Sequence, residues 1–158
     1  MRAETPRRGG DRRGFSLAEL AVTVMIVGIL AGVAVPNLHQ AILKAEASRL
    51  VSEAHTIRLA AFGYLGDHGV FPGSSSYGVV PSALRPYLPE NYSFTSNKVR
   101  FGWFSFTLPN TNNIWNSRNI GLLIIEYSAR RDLAAPMQAH VTTDAYWSST
   151  MFYYIIPG

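Results

Sequence analysis

Between Leu20 and Val35 the chain carries no charged residue. As a helix, the 21 residues from Phe15 to Val35 would extend about 31 Å, close to the roughly 30 Å hydrocarbon thickness of a bilayer. Few folds can bury such a segment in a chain of 158 residues, so a membrane or another apolar assembly is its natural solvent. Five arginines precede it, Arg2, Arg7, Arg8, Arg12 and Arg13, and basic residues on one flank of a span mark that flank as cytoplasmic. A single carboxylate, Glu19, sits just inside its start. A charge there is costly unless paired, which makes Glu19 a functional candidate.

The junction reads Gly14-Phe15-Ser16-Leu17-Ala18-Glu19, a basic leader ending in glycine followed by Phe-Ser-Leu-x-Glu and an apolar run. It resembles the class III signal of type IV pilins and type II secretion pseudopilins. The resemblance implies cleavage after Gly14 by a membrane-embedded prepilin peptidase and N-methylation of Phe15. It also implies that the Glu19 carboxylate pairs, in an assembled filament, with the amine of Phe15 on a neighbouring subunit. An ion pair is far stronger in low dielectric than in water, and an unpaired charge there is penalised. Two other readings share some of the pattern. An ordinary secretory signal peptide also has a basic and an apolar region, and Gly32-Val33-Ala34 offers small residues for a cut that would release a soluble domain. A plain uncleaved anchor is the other. Neither accounts for Glu19 or for glycine directly before Phe15, and the prepilin reading is preferred.

Gly28, Gly32 and Pro36 weaken the same helix, because glycine is flexible and proline removes a backbone hydrogen bond. They serve either close packing between membrane helices or, as the resemblance implies, a bend or unwinding when a subunit leaves the bilayer.

Beyond Pro36 the pattern becomes amphipathic. Leu43, Ala47, Leu50, Ala54, Ile57, Ala61 and Leu65 recur at helical spacing, while Arg49 and Glu53 stand at i,i+4. Gly63 and Gly66 mark the expected end of the helix near Leu65. Asp67-His68-Gly69-Val70-Phe71-Pro72 then reads as an exposed exit loop, followed by a Ser/Gly stretch, proline punctuation and a short helix around 82–88. From Tyr92 onward the signals are those of strands. Val99, Phe101 and Trp103 alternate in one phase and Phe104, Phe106 and Leu108 in the other, which suggests a β-bulge between Trp103 and Phe104. An Asn-rich loop spans 109–119, and further strands are expected at 120–127, 139–142 and 151–156. The expected class is α+β and pilin-like, a long N-terminal helix packed on a small antiparallel sheet. The divisions are a leader over 1–14, a filament-core helix over 15–36 and a periplasmic or extracellular domain over 37–158.

The net charge of +4 is largely a property of the leader, since residues 15–158 carry nine basic and eight acidic side chains. No nucleic-acid partner is indicated. There is no cysteine, so the disulfide that closes many pilins is ruled out. Asp132 and Asp144 are isolated in sequence and signal no calcium site. No zinc-binding, phosphate-loop or nucleophile-elbow motif is present, His39, His55, His68 and His140 are scattered, and no catalytic residue, metal or cofactor is expected. Trp103, Trp115, Trp147, Tyr153 and Tyr154 read as core or subunit contacts, with Trp115 the best candidate for exposure. The resemblance implies as partners the prepilin peptidase, other pilin or pseudopilin subunits, membrane lipid, and an inner-membrane assembly platform with its ATPase. It places the chain first in the bacterial inner membrane and then in a periplasmic pseudopilus or extracellular pilus.

Overall fold

A computed structural model describes residues 14–108 and 118–157. Helix α1 spans Leu17–His68. Strands β1 (Thr95–Ser96), β2 (Val99–Leu108), β3 (Arg118–Glu126), β4 (Ala145–Trp147) and β5 (Met151–Pro157) form one antiparallel sheet in the order β1-β2-β3-β5-β4. The fold is the α+β, pilin-like arrangement of a long apolar-headed helix and an antiparallel sheet. Contacts divide the chain into two units, Met1–His39 and Gln40–Gly158.

In the second unit the helix meets the sheet through Ala47, Leu50, Ala54, Ile57, Ala60 and Ala61, all buried. The alanines let the backbone lie close to the sheet, and Leu50 and Ile57 fill the space between. Facing them are Val99, Phe101 and Trp103 from β2, Leu123 and Ile125 from β3, and Phe152 and Ile156 from β5. Each set occupies alternate positions of its strand, as a period of two requires. Trp103 is fully buried, and its indole N–H donates to the Pro72 carbonyl at 3.0 Å. Gly121 makes room for it, because a Cβ there would lie 2.6 Å from the indole ring. The 139–142 segment is not a strand. It follows the short helix α2 (Ala134–Gln138) as a turn, with the His140 amide bonded to the Met137 carbonyl and the Val141 amide to that of Gln138. Met137 is buried and anchors this corner, so the next strand begins only at Ala145.

No bulge interrupts β2. It pairs one-to-one with β3 from Arg100↔Glu126 to Leu108↔Arg118. The two apolar phases are the two faces of one strand. Trp103 points to the core, Phe104 packs edge-on against Tyr77 at 5.6 Å, and Phe106 is 51 % exposed. The loop carrying Tyr77 also satisfies the β2 edge, where the amides of Ser75 and Gly78 donate to the carbonyls of Trp103 and Phe101, each at 2.8 Å. An edge paired in this way is closed to other chains.

The helix also runs past its expected end. Gly63 lies beneath the Tyr87 ring, 3.0 Å from where a Cβ would sit, and serves close approach rather than termination. The stop is Gly69, at φ +72°, whose amide returns to the Leu65 carbonyl at 2.8 Å, as a left-handed residue just past a helix does. Asp67 and His68 therefore belong to the last turn. Asp67 accepts from the Tyr87 hydroxyl and His68 stacks on Tyr64. The expected short helix is a 3₁₀ turn at Ser82–Tyr87.

One ionic cluster ties the helix to the sheet. The Arg130 guanidinium donates to both oxygens of Glu46, at 2.9 and 2.7 Å, and also to Asp132. Asn97 donates to Glu46 at 2.7 Å. Asn97 and Lys98 both have positive φ, the conformation of a tight hairpin turn between β1 and β2. Asp132, isolated in sequence, is thus engaged in space. Of the Asn-rich loop expected over 109–119, residues 109–117, Trp115 among them, lie outside the described residues, as does the leader apart from Gly14, while Arg118 and Asn119 already belong to β3 through their pairing with Leu108 and Thr107.

Candidate functional site

The residues singled out at the N-terminal end fall in the first unit. Gly14, Phe15 and Ser16 precede α1 and are exposed, Phe15 by 87 %. The Gly14–Phe15 junction precedes the helical ladder, which opens with the bond from the Leu20 amide to the Ser16 carbonyl at 3.2 Å. Ser16 and Glu19 cap the helix reciprocally. The Glu19 amide donates to Ser16 Oγ at 3.2 Å, and the Ser16 amide and hydroxyl donate to Glu19 Oε2 at 2.9 and 3.0 Å. This is a capping box, and its signature, Ser-x-x-Glu before an apolar run, is legible in the sequence. Among the described residues no cation reaches Glu19, so its carboxylate is held by hydrogen bonds alone.

From Leu17 to Val35 every side chain is exposed. Leu20, Met25, Ile29, Leu30, Val33 and Val35 each present more than three-fifths of their surface. Water does not tolerate apolar surface of this extent on a lone chain, and the helix is long and apolar enough to cross a membrane. The hydroxyl of Thr23 is returned to the Leu20 carbonyl at 2.8 Å, which removes a polar cost in lipid. Gly28 and Gly32 face open space, and Pro36 lies inside α1. Pro36 has no N–H to offer the carbonyl of Gly32, four residues back. The three helix-weakening positions therefore lie within eight residues of one another, and two of them act on the same hydrogen bond.

Residues 10–35 match the profile of the prokaryotic N-terminal methylation motif. The chain is 35 % identical over 72 residues to the type IV major pilin protein PilE1 of Neisseria gonorrhoeae, across 46 % of this chain and 34 % of that one. It is 33 % identical over 87 residues to the type II secretion system core protein G of Pectobacterium carotovorum, across 53 % of this chain and 55 % of the relative. To the type IV major fimbrial protein FimA of Dichelobacter nodosus it is 41 % identical over 49 residues, 31 % of each chain.

The N-terminal part of this chain is similar to type IV pilins and to a type II secretion system core protein.

It spans from about a third to just over half of the length of these pilin and pseudopilin relatives. No solved structure matches it. In this pilin-like chain no group of three His, Asp or Glu side chains among the described residues is placed to hold a metal ion.

Proposed function

We propose that this chain is a prepilin-like subunit of a helical filament, cut after Gly14 by a prepilin peptidase and N-methylated on Phe15. The observation that carries this reading is the bare apolar helix headed by an exposed Gly14-Phe15 junction and a capped Glu19. Before assembly the segment 15–36 is held in the inner membrane, with the leader cytoplasmic and residues 37–158 periplasmic. Lipid then covers the apolar side chains. In the filament, the same side chains of neighbouring subunits replace lipid, and Glu19 exchanges its cap for the methylated amine of a neighbour's Phe15. Gly28, Gly32 and Pro36 let the helix unwind or bend during that transfer. The subunit has no nucleotide-binding motif, so the work of extraction falls to an assembly platform and its ATPase. The relatives include both a secretion core protein and pilus proteins. The absence of cysteine favours the secretion pseudopilus or a minor pilin over a major pilin.

Mass spectrometry of the membrane-bound protein tests this reading. An N-terminus at methylated Phe15 is expected. A terminus near Val35 on a soluble product would overturn it in favour of an ordinary signal peptide.

A further inference from the structure

A second set of polar groups lies wholly within the unit Gln40–Gly158. His55 and Arg58 on α1 face Thr142 and Tyr154 across a depression of about 430 Å³, which Val51 and Ala54 also line. No aspartate or glutamate lines it. The guanidinium of Arg58 rests 5.8 Å above the Phe62 ring, a contact that holds it against the helix and leaves its N–H edge open. Arg49, Arg100 and Arg130 each have a carboxylate partner. Among the described residues, the Arg58 side chain has neither an ion pair nor a hydrogen bond, and the same holds for the His55 ring and the Thr142 and Tyr154 hydroxyls, although the Thr142 carbonyl accepts from the Ala145 amide. Burial raises the pKa of Tyr154, so its hydroxyl stays a donor at neutral pH.

The fixed positive charge of Arg58 beside the Thr142 and Tyr154 hydroxyls suits a singly charged anion, and the guanidinium fork fits the two oxygens of a carboxylate. The apolar residues Val51 and Ala54 and the Tyr154 ring suit a short carbon stem. We infer that this depression binds a carboxylate carried on an apolar stem. Two sources have that chemistry, a free short-chain acid and an acidic side chain of a second copy. Glu90 is the apt side chain, being exposed and without a hydrogen bond or ion pair among the described residues. Two residues on, the Tyr92 hydroxyl donates to the Glu53 carbonyl at 2.9 Å. At 3.6 residues per turn, His55 and Arg58 project roughly 140–160° around the helix from Glu53. Donor pocket and carboxylate therefore sit on different flanks, the arrangement a head-to-tail contact between copies needs. This second source rests on the filament reading.

The test uses the mature full chain in detergent micelles, following the His55 ring resonances as butyrate replaces chloride at constant ionic strength. Filament incorporation is measured alongside for Arg58→Glu, Glu90→Arg and the double variant. A saturable butyrate shift, weakened by about tenfold or more in Arg58→Gln, supports the site as one for free acids. No butyrate shift, with incorporation lost in each charge reversal and restored in the double, supports the neighbour's carboxylate. No shift and no restoration overturns the inference. If the wild type enters no filament, the filament reading fails and the butyrate titration alone decides, a shift supporting the site and its absence overturning it.

Discussion

Arg130 grips Glu46 across 84 residues of chain through two parallel hydrogen bonds of 2.9 and 2.7 Å. The side chains are only 19 % and 13 % exposed, so water screens the pair weakly and loss of one partner leaves a poorly solvated charge.

Replacing Arg130 with methionine keeps the stem and removes the fork. The expected loss is roughly 2–3 kcal/mol of stability, read as a lower midpoint in thermal unfolding of the full chain in detergent. A change within about 0.5 kcal/mol, the range of an ordinary surface substitution, would show that the pair is incidental.

The same pair sets an acid limit. The hydrogen bond from Arg130 holds the Glu46 carboxyl below its ordinary value of 4.5, against the opposing cost of burial. A depressed carboxylate contributes stability that is present above its unfolded pKa and lost as pH falls through the folded value. Stability from this source should therefore be level near neutrality and decline below about pH 4.5. Glu46→Gln should flatten that decline in melts taken across the acid range.

At the alkaline end, burial pushes the Tyr92 and Tyr127 hydroxyls up to about 12. Both are spent as donors, Tyr92 to the Glu53 carbonyl and Tyr127 to that of Ser148 at 2.6 Å. A raised pKa contributes stability that is full below the unfolded value near 10 and lost as pH rises through the folded one. Ultraviolet titration should show these two tyrosines ionising last, together with unfolding. Ionisation near pH 10 in a folded protein would contradict their burial.

How much of this was legible beforehand differs between the two units. The long apolar head of α1 and its buried face further on were readable, because one rests on local composition and the other on local periodicity. Ala47, Leu50, Ala54, Ile57 and Ala61 are buried as their spacing predicts. The Arg130–Glu46 pair was not legible, since nothing in Arg130-Arg131-Asp132 indicates a partner 84 residues earlier. The expected bulge at Trp103–Phe104 failed for a related reason. A strand with apolar residues on both faces looks like a slipped strand unless the covering loop, here with Tyr77 against Phe104, is known. Gly63 misled because a glycine needed for contact with Tyr87 is indistinguishable in sequence from one that ends a helix.

Gly121 offers a packing test. Gly121→Val would place carbon atoms within the space of the Trp103 ring, and overpacking of this kind costs roughly 1–3 kcal/mol. Lower stability with a blue or red shift of tryptophan fluorescence is expected. Unchanged stability would mean that the ring can move aside.

In the first unit, Ser16→Ala removes the hydroxyl that receives the Glu19 amide, while Glu19→Ala removes the carboxylate altogether. Both variants should be cut after Gly14 and stay membrane-bound. Filament incorporation should fall severely for Glu19→Ala and only modestly for Ser16→Ala, as measured by sheared-filament immunoblotting. Equal incorporation of Glu19→Ala and wild type would remove the assembly role of Glu19.

The order of the strands carries a consequence for biogenesis. β5 lies between β3 and β4, pairing with both, although it is the later of the three in the chain. β4 thus emerges before the strand it must dock on. As the chain emerges N-terminus first, the sheet can grow only as far as β3, and Ala145–Trp147 must wait. Closure of this half is therefore timed by the arrival of β5, and a chain halted short of Met151 leaves both β3 and β4 without the strand they share.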